Sequence, residues 1–204
     1  MTVTPSALGR PVGANAEQTR RRIITAAMRC VAEAGYSQAT IREIARAADM
    51  TSGSLYHYFP NKSELLEATG EAIEEIVAPR LRAAAAAADD AAGRLDAVLD
   101  ESQRLIRDHP HLAAYLRAVR TTSASRSRRE SPGSKALRAV VTEIVADAAT
   151  HATLSPRADP AAVVEAICAL THGLSERAAT LPPDAYDATL ASAKKLIRGS
   201  LFAR

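Results

Sequence analysis

The sequence predicts an all-α protein, and three observations support this class. The chain has 204 residues, of which 47% are hydrophobic, enough to form the cores of a small and a larger domain. Apolar residues recur at helical spacings of three and four along most of the chain. No segment alternates apolar and polar residues with the composition of a strand, and prolines fall between the periodic segments. We expect about nine helices from these patterns.

Residues 1–16 form the first distinct segment. They combine prolines and glycines with small polar residues and show no helical period, which predicts a flexible N-terminal arm. Arg10 has the reach for a DNA minor groove, but the composition favours a disordered tail. A helix should follow, with Gly35 as its C-terminal cap and an inward face made of Ile23, Ile24, Ala27, Val31 and Ala34.

A short second helix is predicted to open at Thr40. The Thr40 hydroxyl can accept from the backbone N–H of Glu43, and the Glu43 carboxylate can accept from the Thr40 N–H, which is a capping box. The apolar residues that follow share one face, namely Ile41, Ile44, Ala45 and Ala48. The helix is therefore amphipathic and short.

A third helix follows after only a few turn residues between Asp49 and Gly53. Two helices joined this closely cross steeply, as in a helix-turn-helix. Leu55 and Phe59 are needed for the core, which leaves polar residues for the outer faces. These are Thr51, Ser52, Ser54, Tyr56, His57 and Tyr58. Pro60 then ends the helix, and Asn61 provides the N-cap of a longer one.

The outer faces of the third helix indicate nucleic-acid binding. Hydroxyls, an imidazole and phenols suit base edges and phosphates. An ordinary pair of core helices is the alternative, but two tyrosines and a histidine are costly to expose without a partner. Residues 1–62 carry eight Lys and Arg against four Asp and Glu, whereas residues 63–204 carry eighteen against nineteen. The positive charge therefore belongs to the end that would meet DNA.

Residues 18–70 resemble the DNA-binding domain of the tetracycline-repressor (TetR) family of bacterial transcription regulators. The resemblance rests on two segments, RRRIITAAMRCVAEAGY and TIREIARAADMTSGSLYHYFPNKSELL. It implies a dimeric repressor with a three-helix helix-turn-helix domain over residues 17–62. Residues 63–204 would form a helical ligand-binding and dimerisation bundle. Double-stranded operator DNA and a small-molecule inducer are the implied partners.

The resemblance also implies roles for individual residues. Five side chains would face base edges or nearby phosphates, namely Thr51, Ser52, Ser54, Tyr56 and His57. Four would hold the DNA backbone, namely Thr40, Arg42, Tyr58 and Lys62, and Arg22 would contact phosphate from the start of the first helix. In this family a ligand favours a conformation in which the two DNA-binding domains of the dimer no longer have the spacing that fits the operator. Ligand binding and operator binding therefore weaken each other.

The last two predicted helices indicate a homodimer. One opens at Asp159 and Pro160 and is apolar nearly all round, so it must be covered all round. A dimer would place two recognition helices one DNA turn apart, ~34–36 Å, whereas a monomeric bundle would touch too few base pairs to be specific. The expected interface residues are Val164, Cys168, Tyr186, Leu190 and Ile197.

A ligand pocket is expected inside the fifth to eighth helices. Its candidate residues are polar groups on or beside apolar faces, namely Gln103, Tyr115, Thr171 and His172. Because aromatic residues make up only 3% of the chain and Trp is absent, an aliphatic or acyl ligand fits better than a stacked planar cation.

Residues 121–134 are too polar to pack, which predicts a flexible connection with Arg126, Arg128 and Arg129 in a solvated loop.

Other classes of function lack support in the sequence. Phosphate-binding loops, nucleophile elbows and paired catalytic carboxylates do not occur, so an enzyme is not expected, nor a cofactor. His109 and His111 lack Cys or carboxylate partners at metal-ligand spacing, which argues against a metal site. A helical metal sensor or a protein-interaction module remains the alternative. Cys30 and Cys168 lie in helical patterns, and the absence of a signal peptide or membrane span predicts a cytoplasmic protein.

Overall fold

The computed structural model describes residues 12–123 and 133–199, and within them the protein is all-helical. This confirms the predicted fold class. The expectations for residues 1–11 and for Arg126, Arg128 and Arg129 lie outside the described residues. The described helices are α1 (Val12–Ala34), α2 (Ile41–Ala47), α3 (Ser52–Tyr56), α4 (Lys62–Ala85), α5 (Ala91–Asp108), α6 (Leu112–Ser123), α7 (Ser134–Thr150), α8 (Pro160–Ala178) and α9 (Pro183–Ile197).

Helix α1 begins at Val12, four residues before the predicted end of the N-terminal arm at residue 16. Local bonds explain the earlier start. The Thr19 hydroxyl donates to the carbonyl of Asn15 at 2.9 Å, and Arg21 Nε donates to Glu17 Oε1 at 3.2 Å one turn away. Contacts between residues four apart support a helix that the apolar period alone does not reveal.

The predicted caps are present at the helix ends. Thr40 and Glu43 form the full capping box of α2, and the Asn61 side chain accepts from the Glu64 N–H at 2.9 Å at the start of α4. Gly35 follows α1 with φ of +88°, a left-handed conformation that glycine adopts without a Cβ penalty. These local signals end α1 and start α2 and α4 where the sequence predicts.

Helices α1 to α3 form an N-terminal head, and α6 joins it to the rest of the protein. Ile23 of α1, Ile44 of α2 and Leu55 of α3 are fully buried, and Phe59 closes the same core. Helix α6 packs on α1, and its Tyr115 lies in the same continuous apolar core. The head is therefore packed directly against the C-terminal bundle.

Helix α4 runs from the head into the C-terminal bundle of α5 to α9. It packs on α1, α5 and α7, while α8 packs on α5, α6, α7 and α9. Helix α9 is attached by a small second core, in which Tyr186 and Leu190 meet Leu99 and Leu174. Ion pairs between α5 and α9, including Arg198 to Asp96 at 2.7 Å, border that second core.

Helix α6 starts at Leu112, and Pro110 lies in the preceding turn. The His109 backbone ends α5, so residues 109–111 form the turn between α5 and α6. Within the described ranges, none of the helices is long and apolar enough to cross a membrane.

We expect Asn61→Ala to lower the free energy of unfolding by about 1 kcal/mol, because it removes the N-cap of α4. Urea denaturation at fixed protein concentration measures this. Thr150→Ala is the matched control, since its exposed hydroxyl bonds only to the carbonyl of Ala146 in its own helix. Equal stability of the two variants would contradict the role of the cap.

Candidate nucleic-acid interface and internal cavity

Helix α3 presents a polar outer surface on the N-terminal head. Leu55 is fully buried, and the side chains around it point outward. Tyr56 is 51% exposed, although it is one of the largest hydrophobic side chains in the protein. His57 and Arg42 are also exposed, and Ser52 is half-buried. These side chains offer hydrogen-bond donors, an aromatic ring and a positive charge on one small domain.

Three of the predicted contact residues also hold the head together. Thr51 Oγ1 accepts from the Ser54 N–H at 3.1 Å and lies 2.9 Å from Ser54 Oγ, so both hydroxyls serve the start of α3. The Thr40 hydroxyl donates to Glu43 Oε2 at 2.8 Å, and these bonds lower the pKa of the exposed Glu43 carboxyl. The sequence analysis predicted the capping role of Thr40, but it assigned the hydroxyls of Thr51 and Ser54 to DNA only.

Lys62 and Tyr58 are less available than the sequence suggested. Lys62 Nζ donates to the Ser37 carbonyl at 3.1 Å and lies 5.9 Å from the centre of the Tyr36 ring. Tyr58 is half-buried and packs on the core of the head. Both side chains stabilise the turn regions, so a change at either would affect folding as well as binding.

The three arginines at positions 20–22 have three different environments. Arg20 lies over the ring of Phe59, 4.9 Å from its centroid, which joins α1 to the end of the helix-turn-helix. Arg21 pairs with Glu17 on α1. Arg22 is exposed, as a phosphate contact requires. The contact of Arg20 with Phe59 was not predicted, because these residues are far apart in the sequence.

A cavity of about 50 Å³, partly open to solvent, lies where α4, α5, α6, α7 and α8 meet. Its wall is mainly aliphatic. Leucines and valine supply this part, namely Val77, Leu81, Leu105, Leu112, Leu116 and Leu137. Leu112 and Leu116 face it from α6, the helix whose other side packs on the head.

Most polar groups of the wall are bonded within their own helices. Ser102 Oγ donates to the Val98 carbonyl at 2.8 Å. Thr171 Oγ1 donates to the carbonyl of Ile167 at 2.9 Å, and Ser175 Oγ donates to that of Thr171 at 3.0 Å. These hydroxyls are satisfied without a ligand, so the cavity is more apolar than its composition suggests.

One side of the cavity has a different character. His172 Nε2 and Ser134 Oγ lie 3.1 Å apart, and Arg120 Nη2 donates to Glu176 Oε1 at 3.2 Å. Burial lowers the pKa of His172, and the charges of Arg120 and Arg138 lower it further. The cavity thus combines an aliphatic wall with a cation and a histidine that is held towards its neutral form.

Two of the four predicted pocket residues line the cavity, namely Thr171 and His172. Gln103 does not, because its amide donates to Asp187 Oδ1 at 2.7 Å and ties α5 to α9. Tyr115 is 1% exposed and faces α4, where its hydroxyl is 3.5 Å from the Leu66 carbonyl. Arg120, which lines the cavity, was missed because sequence alone does not show which face of α6 turns inward.

The five predicted interface residues pack against other residues of their own protomer. Val164 and Cys168 belong to the main core, and Tyr186 and Leu190 form the second core between α5, α8 and α9. Ile197 is half-buried and packs on both. A side chain that its own chain already covers has little area left for a second copy, so the role of these five residues in a dimer interface stays a prediction.

The exposed face of α8 carries small side chains instead. Ala162, Ala166, Ala169 and Gly173 are exposed and recur at spacings of four and three. On α9 the exposed residues include Leu196, at 52%.

The described residues contain no group of three or more His, Cys, Asp or Glu side chains arranged to hold a metal ion.

An N-terminal helix-turn-helix head packed on a helical domain with a cavity is the architecture of the helix-turn-helix regulators. Two family models match this chain. Residues 23–69 match bacterial regulatory proteins of the tetR family, and residues 89–204 match the tetracyclin repressor-like C-terminal domain. The second match covers more than half of the chain. The protein belongs to the TetR family of bacterial regulatory proteins.

Individual relatives agree with this assignment. The HTH-type transcriptional regulator SrpR of Pseudomonas putida is 44% identical over 61 residues, which cover 30% of this chain and 29% of SrpR. The chain spans less than half the length of the curated relatives it matches.

Solved structures with a similar fold cover most of the chain. FadR from Bacillus subtilis in complex with stearoyl-CoA has a TM-score of 0.71 at 18% identity, covering 89% of this chain and 99% of that one. AibR in complex with isovaleryl coenzyme A and operator DNA has a TM-score of 0.69 at 18% identity, covering 87% and 97%. At these identities the similarity shows the fold.

We expect the free energy of unfolding to fall as pH decreases below the ordinary pKa of histidine, ~6.5. The lowered pKa of His172 means that the unfolded chain binds a proton there before the folded chain does. His172→Gln should make this fall shallower, measured by urea denaturation between pH 7.5 and 5. Parallel curves for the two proteins would show that His172 does not contribute.

Proposed function

We propose that the protein is a homodimeric repressor that binds a palindromic operator and is released by a small-molecule inducer. Membership of the TetR family supports the class of function. The observation that carries the proposal is the position of α6, which lines the cavity with Leu112 and Leu116 and packs on the DNA-reading head with its other side. A ligand in the cavity would therefore act on a helix that also positions the reading surface.

The size of the cavity supports a population shift. Small-molecule pockets usually measure ~300–1,000 Å³, whereas this cavity measures about 50 Å³. A ligand must therefore favour a more open arrangement of α4 and α6 over the closed one. Operator DNA would favour one arrangement and ligand the other, so each would weaken binding of the other.

The aliphatic wall supports a ligand with a hydrocarbon chain. Six leucine and valine side chains line the cavity, and its described wall contains no Phe, Tyr or Trp. Structural neighbours of similar fold bind acyl-coenzyme A compounds, stearoyl-CoA in FadR and isovaleryl coenzyme A in AibR. An aliphatic or acyl inducer fits both observations.

The proposed dimer uses the exposed small-residue face of α8, centred on Ala169, together with the exposed side of α9. Small side chains let helices approach closely over a wide area, and α8 and α9 with their copies would form a four-helix interface. This revises the interface expected from the sequence, because the larger apolar residues of both helices are used inside the protomer.

The primary test is binding of the purified protein to its own upstream intergenic DNA, against a scrambled competitor. Specific binding with two protomers per site and a steep loss of affinity with salt is expected. If neither this DNA nor a sequence selected from a random pool binds specifically, the protein is an interaction module and not a DNA-binding regulator.

Arg42→Ala should weaken operator binding and reduce the slope of log affinity against log salt by about 0.9, the value for one phosphate contact. Arg42 is exposed beside the reading surface. Arg157→Ala is the matched control. It is an exposed arginine in the connection between α7 and α8, outside the N-terminal head. The same slope for both variants would remove Arg42 from the contact surface.

Ala169→Arg should convert the dimer into monomers, since it places a long charged side chain at the centre of the proposed interface. Sedimentation equilibrium measures the change, and circular dichroism checks the fold. Ala83→Arg introduces the same side chain on an exposed position of α4 and should leave the dimer intact. A dimeric Ala169→Arg protein would place the interface elsewhere.

A further inference from the structure

The cavity has one charged group among its described lining residues, and that group is a cation. Arg120 lines the cavity from α6, on the same face as Leu112 and Leu116 at spacings of four. The described lining contains no Asp or Glu. A neutral, apolar ligand would not require an arginine at the edge of an aliphatic cavity.

The carboxylate that Arg120 contacts lies outside the lining. Glu176 is on α8, its side chain is 56% exposed, and one oxygen accepts from Arg120 Nη2 at 3.2 Å. The side chain of Arg120 is only 20% exposed. An ion pair with one partner largely in water is weak, because solvent screens it and the long side chain must be ordered. Glu176 is therefore a partner that another anion can replace.

Two lining residues on this side of the cavity, Ser134 and His172, offer hydrogen-bonding groups without negative charge. The Glu74 carboxylate lies outside the lining, and its Oε1 accepts from the Gly133 N–H at 2.6 Å. Ser134 and His172 are paired with each other at 3.1 Å, and both line the cavity. Arg138 pairs with Glu165 on the outer side of α7 and α8, so its charge is already compensated. An anion at Arg120 would meet one cation, a hydroxyl and an imidazole.

We propose that the inducer is an aliphatic carboxylate, whose chain occupies the leucine-lined space and whose carboxylate displaces Glu176 from Arg120. Guanidinium binds carboxylate through two parallel hydrogen bonds, which gives orientation as well as affinity. This rests on the proposed function and deepens it by naming the chemical class of the ligand. Because Arg120 belongs to α6, the exchange of partners takes place on the helix that contacts the reading head.

The test compares straight-chain carboxylates of six to ten carbons with their neutral primary amides and with octanoyl-CoA. Binding to the full-length protein is measured by calorimetry and by release of operator DNA. Carboxylates should bind more tightly than amides of equal length by about tenfold, the effect of a charge-assisted hydrogen bond. Equal affinity for acid and amide, or binding of the CoA ester alone, would overturn the proposal.

Three variants separate the role of Arg120 from that of folding. Arg120→Gln should remove the preference for carboxylate while leaving amide affinity within about twofold. Glu176→Gln should strengthen carboxylate binding, since it removes the competing anion, and this variant changes only an exposed side chain. Arg117→Gln, an exposed arginine on the same helix, is the matched control. Unchanged binding in both Arg120→Gln and Glu176→Gln would exclude the exchange.

The outcome is distinguishable from failure of the proposed function. If no carboxylate binds while specific operator binding persists, the ligand class is wrong and the DNA-binding function stands. If the operator test itself fails, the regulatory function is wrong whatever the cavity binds.

Discussion

The structure depends on one packing constraint, the continuous apolar core that joins the head to the C-terminal bundle through α6. In many proteins with two functional parts a flexible linker separates two cores. Here Ile23 and Leu55 of the head belong to the same core as Tyr115 and Val141 of the bundle. Protein interiors are close-packed and transmit strain, so a displacement at the cavity acts on the side chains of the same core.

The polar groups of the bundle are arranged to leave the cavity apolar. Hydroxyls that line it are satisfied by the preceding turn of their own helix, as Thr171 is by Ile167. The buried Glu101 carboxylate is also satisfied, since it accepts hydrogen bonds from Arg80 and Arg104 away from the cavity. The rest of the lining is mainly hydrocarbon, apart from Ser134 and His172, which pair with each other, and Arg120, which pairs with Glu176. Selectivity in such a site comes from few groups, each with a large effect.

The head was predictable and the cavity was not, for a physical reason. Caps such as Thr40 and Asn61 act on residues three positions away, so sequence shows them directly. Helix α8 is apolar on nearly every side, and no local signal tells whether Val164 or Ala166 faces the interior. The core took the larger side chain, which left the alanines outside. Gln103 was expected in the pocket and Arg120 was not. Their partners lie on other helices, whose orientation only the folded protein shows.

The bond between Thr51 and Ser54 limits which residues of α3 can be substituted freely. These hydroxyls start α3, so a change at either position disturbs the fold of the head. Tyr56 and His57 have no such structural duty among the described contacts and are exposed. Substitutions at these two positions therefore change the exposed surface of α3 and leave its cap intact. Under the proposed function, they are the positions to vary when the protein is recoded as an orthogonal switch in a synthetic gene circuit.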